Sequence, residues 1–261
     1  MRIYVRQLLP VAMVLASLFI STPAWAQRSE PQPVFLRSTI SSPGSYILAR
    51  DLSVGSGQGP AITIAASGVT LDLNGHEIMG PGGKQGTGIM IDGVRGVKIV
   101  NGNISHLAFG IVVSNSDNVV LRDLQIRGQG LPIQALPPET GVMIVQSKNV
   151  VVTDNAIYNT GLGVFVLGGS SSGNRISDNT ITANTNGALG ICYNPTDGDP
   201  QGPRGDLIEG NLITGYPTGI SISATSMSNV FRGNTIAYVS SDVENLNETN
   251  IVSENTSVQL P

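Results

Sequence analysis

Apolar residues in this chain fall on alternate positions in short runs, and the runs recur. Six of them open on a glycine: GIMID from Gly88, GIVVS from Gly110, GVMIV from Gly141, GVFVL from Gly163, GICYN from Gly190 and GISIS from Gly219. After a polar turn a second alternation follows, as in GVKIV, NVVLR and NVVVT. Then comes a polar phrase with isoleucine at its centre, as in TDNAIYN, SDNTITAN, EGNLITG and RGNTIAY. Period-two apolar residues bounded by Gly, Asn, Ser and Asp predict β-strands. The phrase isoleucines are Ile78, Ile104, Ile126, Ile157, Ile181, Ile213 and Ile236; their spacing is tightest from Ile104 to Ile126 and widest from Ile181 to Ile213. A short repeat interrupted by insertions predicts a solenoid in which each repeat forms one triangular coil.

In such a coil every strand lies parallel on the matching strand of the next, about 4.8 Å away, so identical positions stack. Ile89, Ile111, Val142, Val164, Ile191 and Ile220 are expected to form one interior row and the seven phrase isoleucines another. Asn155, Asn179, Asn211, Asn234 and Asn255 are expected at one corner, with left-handed backbone and with side-chain amides bonded to one another and to turn backbone. Leucine-rich repeats have a similar period and an asparagine, but they require several leucines per repeat where this chain has Ile and Val. A propeller needs longer repeats and aromatic motifs.

The segment 1–26 reads differently. Arg2 and Arg6 precede an apolar run from Leu8 to Ile20, and Ala24-Trp25-Ala26 has the small-x-small spacing of a signal-peptidase site. The run is shorter than the roughly 20 residues needed to span a bilayer. A cleaved signal peptide over 1–26, an N-terminal segment and cap over 27–60, and a coil domain over 61–261 are the expected organisation, with a periplasmic or secreted location and no membrane insertion. The mature chain, 27–261, is long enough for one substantial core. Loss of Arg2 and Arg6 with the signal takes the net charge from −4 to −6. The acidic balance argues against nucleic acid as a partner. Cys192 is the only cysteine, so no disulfide forms within the chain. His76 and His106 are the only histidines, which leaves no multi-ligand soft-metal site.

The segments SPGSYILARDL, 42 to 52, and ITIAASGVTLDLNGHEIMG, 62 to 80, resemble the opening coils of the right-handed parallel β-helix superfamily, which includes pectate lyases, pectin hydrolases, alginate epimerases and periplasmic relatives of unknown role. The resemblance covers roughly residues 35 to 257 and implies an all-β, single-stranded right-handed parallel β-helix of seven to eight coils. The last coil is degenerate, because ETNIVSENTSVQLP keeps the asparagine and replaces the isoleucine by Ser257.

The superfamily's hydrolases keep acids on and beside the strand that matches the glycine-led strand. The outward positions of that strand here are Met90, Val112, Met143, Phe165, Cys192 and Ser221, with no acid among them. They predict an apolar stripe that is covered by a loop or meets a ligand or partner, with Phe165 able to stack on a sugar face. Two insertions flank the strand. GQGLPIQALPPE, from Gly128 to Glu139, is able to fold over the stripe. YNPTDGDPQGPRGD carries Tyr193, Asp197, Asp199, Arg204 and Asp206. Tyr193 would serve as proton donor or base and Arg204 would neutralise a uronate carboxylate, although strand alternation turns Tyr193 inward. Asp197 and Asp199 offer oxygen ligands to Ca²⁺ but lack the rest of a calcium loop, so a solvated turn is expected and no cofactor. The candidate contact residues are therefore Tyr193, Asp197, Asp199, Arg204, Phe165 and Glu139. His106 lies three coils from Tyr193, too far to share a proton with it. His76 falls at the asparagine corner and reads as structural. Glu209 and Arg232, on adjacent coils, are expected to pair.

These features favour an exported module that binds carbohydrate or a protein partner. The alternative is a lyase or epimerase acting on an acidic, uronate polysaccharide. A copper-maturation role, known for this fold, fails for want of thiol, imidazole and clustered methionine ligands.

Overall fold

The structure, a computed structural model, describes residues 30–258 apart from 58, 84, 131–137, 185–187, 197–199 and 238. The glycine-led runs form the strands Thr87–Asp92, Phe109–Ser114, Thr140–Val145, Leu162–Leu167, Leu189–Asn194 and Thr218–Ile222. With Ser38–Ile40 and Ile62–Ile64 before them and Ser241–Asn245 after, they make one parallel nine-stranded sheet in chain order. Nine coils result among the described residues, against the seven to eight expected. The difference arises at the start, where Ser38–Ile40, Gly44–Leu48 and Leu52–Ser53 complete a coil within the segment read as a cap, ahead of the first phrase isoleucine. The second alternations and the isoleucine phrases form the other two faces. These join into a single 17-stranded sheet because Arg95–Ser105 and Asp117–Arg127 run unbroken through the corner between them.

Register stacks like on like. Ile78 pairs with Ile104, Ile104 with Ile126, and the column continues through Ile157, Ile181, Ile213 and Ile236. All seven are at most 2 % exposed. The column Ile89, Ile111, Val142, Val164, Ile191 and Ile220 faces it across the interior. The glycine that leads each strand is required by this packing. A Cβ on Gly163 would lie 2.4 Å from the Gly190 carbonyl oxygen and 2.4 Å from Ile181 Cγ2, closer than real contacts allow.

The asparagine corner forms a buried ladder. Asn155 Nδ2 donates to Asn179 Oδ1 (3.0 Å), Asn179 to Asn211 (3.0 Å), Asn211 to Asn234 (2.9 Å) and Asn234 to Asn255 (2.9 Å). Each Oδ1 also accepts the backbone N–H of the rung before it. The expected left-handed backbone is displaced by one position: it occurs at Asp154, Asp178, Gly210, Gly233 and Glu254, each just before its asparagine. The turn is made by the preceding residue, which leaves the asparagine free to stack.

Candidate functional site

The residues proposed from the sequence do not converge. Tyr193 is fully buried, its ring edge-on to Phe231 at a centroid distance of 5.5 Å, because it continues the inward alternation between Val166 and Ile222. That burial withdraws it from contact with a polymer. Glu139 is also fully buried; its carboxylate oxygens accept the Gln129 backbone N–H (3.2 Å each) and Oε1 accepts Gln129 Nε2 (2.9 Å), so it fastens the base of the first insertion. Arg204 is turned back on its own loop, where it bonds Gln201. Phe165 stands half-exposed on the nine-stranded sheet between Met143 and Cys192. Asp197 and Asp199 lie outside the described residues. The stripe is neither open nor fully covered: Val112 and Cys192 are buried, while Met90, Met143, Phe165 and Ser221 are half-exposed. Burial pushes the Cys192 thiol up to about 12.

Asp206 belongs to a second ladder at another corner, with Asn174, Asn229 and Asn250. Its Oδ1 accepts Asn174 N–H (2.8 Å), its Oδ2 accepts Asn174 Nδ2 (3.1 Å), and its own N–H donates to Asn229 Oδ1 (2.9 Å). Burial raises its carboxyl to about 6 against the pull of these donors. The Tyr193 hydroxyl faces it without a hydrogen bond of good geometry, and burial followed by the Asp206 charge drives that phenol well above its ordinary range. Asp206 is thus a rung, and the motif it shares with GNRIS, SNVFR and TNIVS is the signal that marks it.

A groove of about 540 Å³ lies on the outer face of the phrase strands. Its floor is the residue after each phrase isoleucine: Ser105 pairs with Arg127, Arg127 with Tyr158 and Tyr158 with Thr182. Glu77, Asn103 and Gln125, from the position before the isoleucine, form one side, and the turn residues Asn159 and Asn184 form the other. Among the described residues, the exposed Arg127 guanidinium has no ion-pair or hydrogen-bond partner, unlike those of Arg175 and Arg232, which both clamp Glu209 (2.8 and 2.9 Å). A hollow of about 590 Å³ also lies at the first coil, but its Arg37 is committed to the Gly59 and Pro60 carbonyls.

At one end of the groove the Ser105 hydroxyl donates to Glu77 Oε1 (2.5 Å) and meets His106 Nδ1 (2.8 Å). Beyond Glu77, His76 Nδ1 lies 3.0 Å from Asp51, whose carboxyl is held below its ordinary range by the Glu77 N–H and by His76. His76 therefore braces the corner, as its position predicts. No described group of three or more His, Cys, Asp or Glu is arranged to hold a metal, and no described helix is long and apolar enough to cross a membrane.

A family model described as "Right handed beta helix region" matches residues 41–236. Among solved structures, the fold is similar to an alginate lyase from Paenibacillus sp. str. FPU-7, at 18% identity and a TM-score of 0.56 over 76% of this chain and 70% of that one. It is also similar to the Dettilon tailspike protein, at 15% identity and a TM-score of 0.57 over 88% of this chain and 54% of that one. No curated protein matches. At these identities the likeness concerns the fold alone.

Proposed function

Starting from a chain that belongs to the right handed beta helix region family, we propose that it is an exported protein that binds an acidic polysaccharide along the phrase-strand groove. The uncommitted Arg127 guanidinium, set between Ser105 and Tyr158 on successive coils, carries this reading. A guanidinium pairs with carboxylate in a two-pronged geometry, and an adjacent tyrosine ring offers a face for a sugar. Asn103, Gln125, Asn159 and Thr182 supply amides and hydroxyls for ring hydroxyl groups along the same line. Two solved structures of similar fold are, by name, an alginate lyase and a tailspike protein, and alginate is a uronate polymer. The signal-like segment 1–26 supports export.

Affinity electrophoresis and titration calorimetry against alginate, pectate and neutral dextran test this, with and without Ca²⁺. Binding to the uronate polymers is expected, weakened by salt and weakened about 10- to 100-fold by Arg127→Ala, the loss of one charge-assisted hydrogen-bonded contact. Lys148→Ala, at another corner of the coil, is expected to bind as wild type. Equal binding of dextran and alginate, or indifference to Arg127→Ala, would refute the reading.

A further inference from the structure

The Glu77–Ser105–His106 chain at the end of the groove has a fixed direction. A serine hydroxyl has one proton, and here it goes to Glu77 Oε1. The 2.8 Å contact with His106 must then be a donation from Nδ1–H to Ser105 Oγ, which leaves the lone pair on Nε2. The histidine backbone is pinned on both sides: His106 N–H donates to the Arg127 carbonyl (3.0 Å) and its own carbonyl accepts Gly82 N–H (3.1 Å). Its left-handed φ of 57° matches Asn159 at the equivalent corner two coils on, where asparagine or glycine is the usual occupant. An exposed imidazole of settled tautomer therefore stands beside the coil that carries the uncommitted guanidinium.

We propose that His106 is a general base acting on the polymer bound in the groove, with Ser105 and Glu77 as positioning residues that hold its tautomer. The proposal rests on the groove being the binding site. Nε2 removes the proton from the ring carbon next to a uronate carboxylate, and the electron pair passes into that carboxylate, opposite Arg127. The pair then forms a carbon–carbon double bond and expels the neighbouring glycosidic oxygen, which takes a proton from water. Glycoside hydrolysis fits less well, because it uses two carboxyl groups. Glu77 is the only carboxylate among the described residues lining the groove, and it is already engaged by Ser105.

The full chain is incubated in heavy water with polymannuronate, polyguluronate and pectate, each with and without Ca²⁺. Deuterium at the ring carbon beside the carboxylate, or unsaturated chain ends, is the expected result. His106→Gln should lower that rate about 10²- to 10⁴-fold, the usual worth of a general base, while polymer binding by calorimetry stays as in wild type. Ser105→Ala should reduce kcat with KM held, and Ser105→Thr should restore it, a rescue that a merely structural serine would not give. Binding that depends on Arg127 but yields neither deuterium uptake nor unsaturated ends would overturn the base and leave the binding function standing. Absence of binding to every polymer would overturn both.

Discussion

Replacing Asp206 by asparagine should make this protein more stable, and increasingly so as pH rises. Asp206 is 1 % exposed and sits in a ladder whose other rungs are Asn174, Asn229 and Asn250. Asn179 and Asn211 show what an amide does in such a ladder: Oδ1 takes both donors of the rung before, and Nδ2 donates to the rung after. A carboxylate at 206 lacks that Nδ2 donor and carries a charge into the interior. Its carboxyl is raised to about 6 from 3.8, so the folded state binds the proton more tightly than the unfolded state. With a raised folded value, the contribution is fully present below the unfolded value and is lost as pH rises from about 4 through about 6. At about 1.4 kcal/mol per pH unit, ionised Asp206 costs the fold up to about 3 kcal/mol above that window. Asp206→Asn should recover about 2–3 kcal/mol at pH 8, a rise of roughly 5–10 °C in Tm for a domain of this size, and the gain should shrink towards pH 4. Urea and thermal unfolding of both proteins, followed by circular dichroism across that range, measures this. A variant no more stable at pH 8, or a stability difference independent of pH, would refute the account.

Other outcomes follow from the same packing. Asn179→Ala removes the acceptor of Asn155 N and Nδ2 and the donor to Val152 O and Asn211 Oδ1, and should cost about 2–5 kcal/mol by urea unfolding. Gly163→Ala drives a methyl group into Ile181 and the Gly190 carbonyl and should cost about 1–3 kcal/mol. Cys192, buried and raised to about 12, should resist alkylation at pH 8 in the native protein and react once denatured, as mass spectrometry would show.

The stacked columns were legible in the sequence because a coil returns each side chain to the same face, so Ile157, Ile181, Ile213 and Ile236 could be aligned by phrase alone. The left-handed corner was misplaced by one residue because asparagine has two talents, tolerance of positive φ and amide stacking. The fold assigns the first to Asp154 and Asp178 and the second to Asn155 and Asn179. The site was harder to see for a different reason. Tyr193, Arg204 and Asp206 are close in sequence, but a coil sends such neighbours to different faces: into the core, onto a loop and into a ladder. Ser105, Arg127 and Tyr158 are far apart in sequence and adjacent in space. The signal that unites them is the position after each phrase isoleucine, followed down the coils. The outward row that informed the expectations, Met90 to Ser221, belongs to the glycine-led face.

The groove takes one floor residue from each coil, so its contacts are spaced like the teeth of a comb, at the rung distance of about 4.8 Å. Selectivity over a long polymer can then be edited tooth by tooth through substitutions on an outer face. Reach changes only in whole teeth, by adding or deleting a turn of chain, while the hydrocarbon spine behind remains untouched.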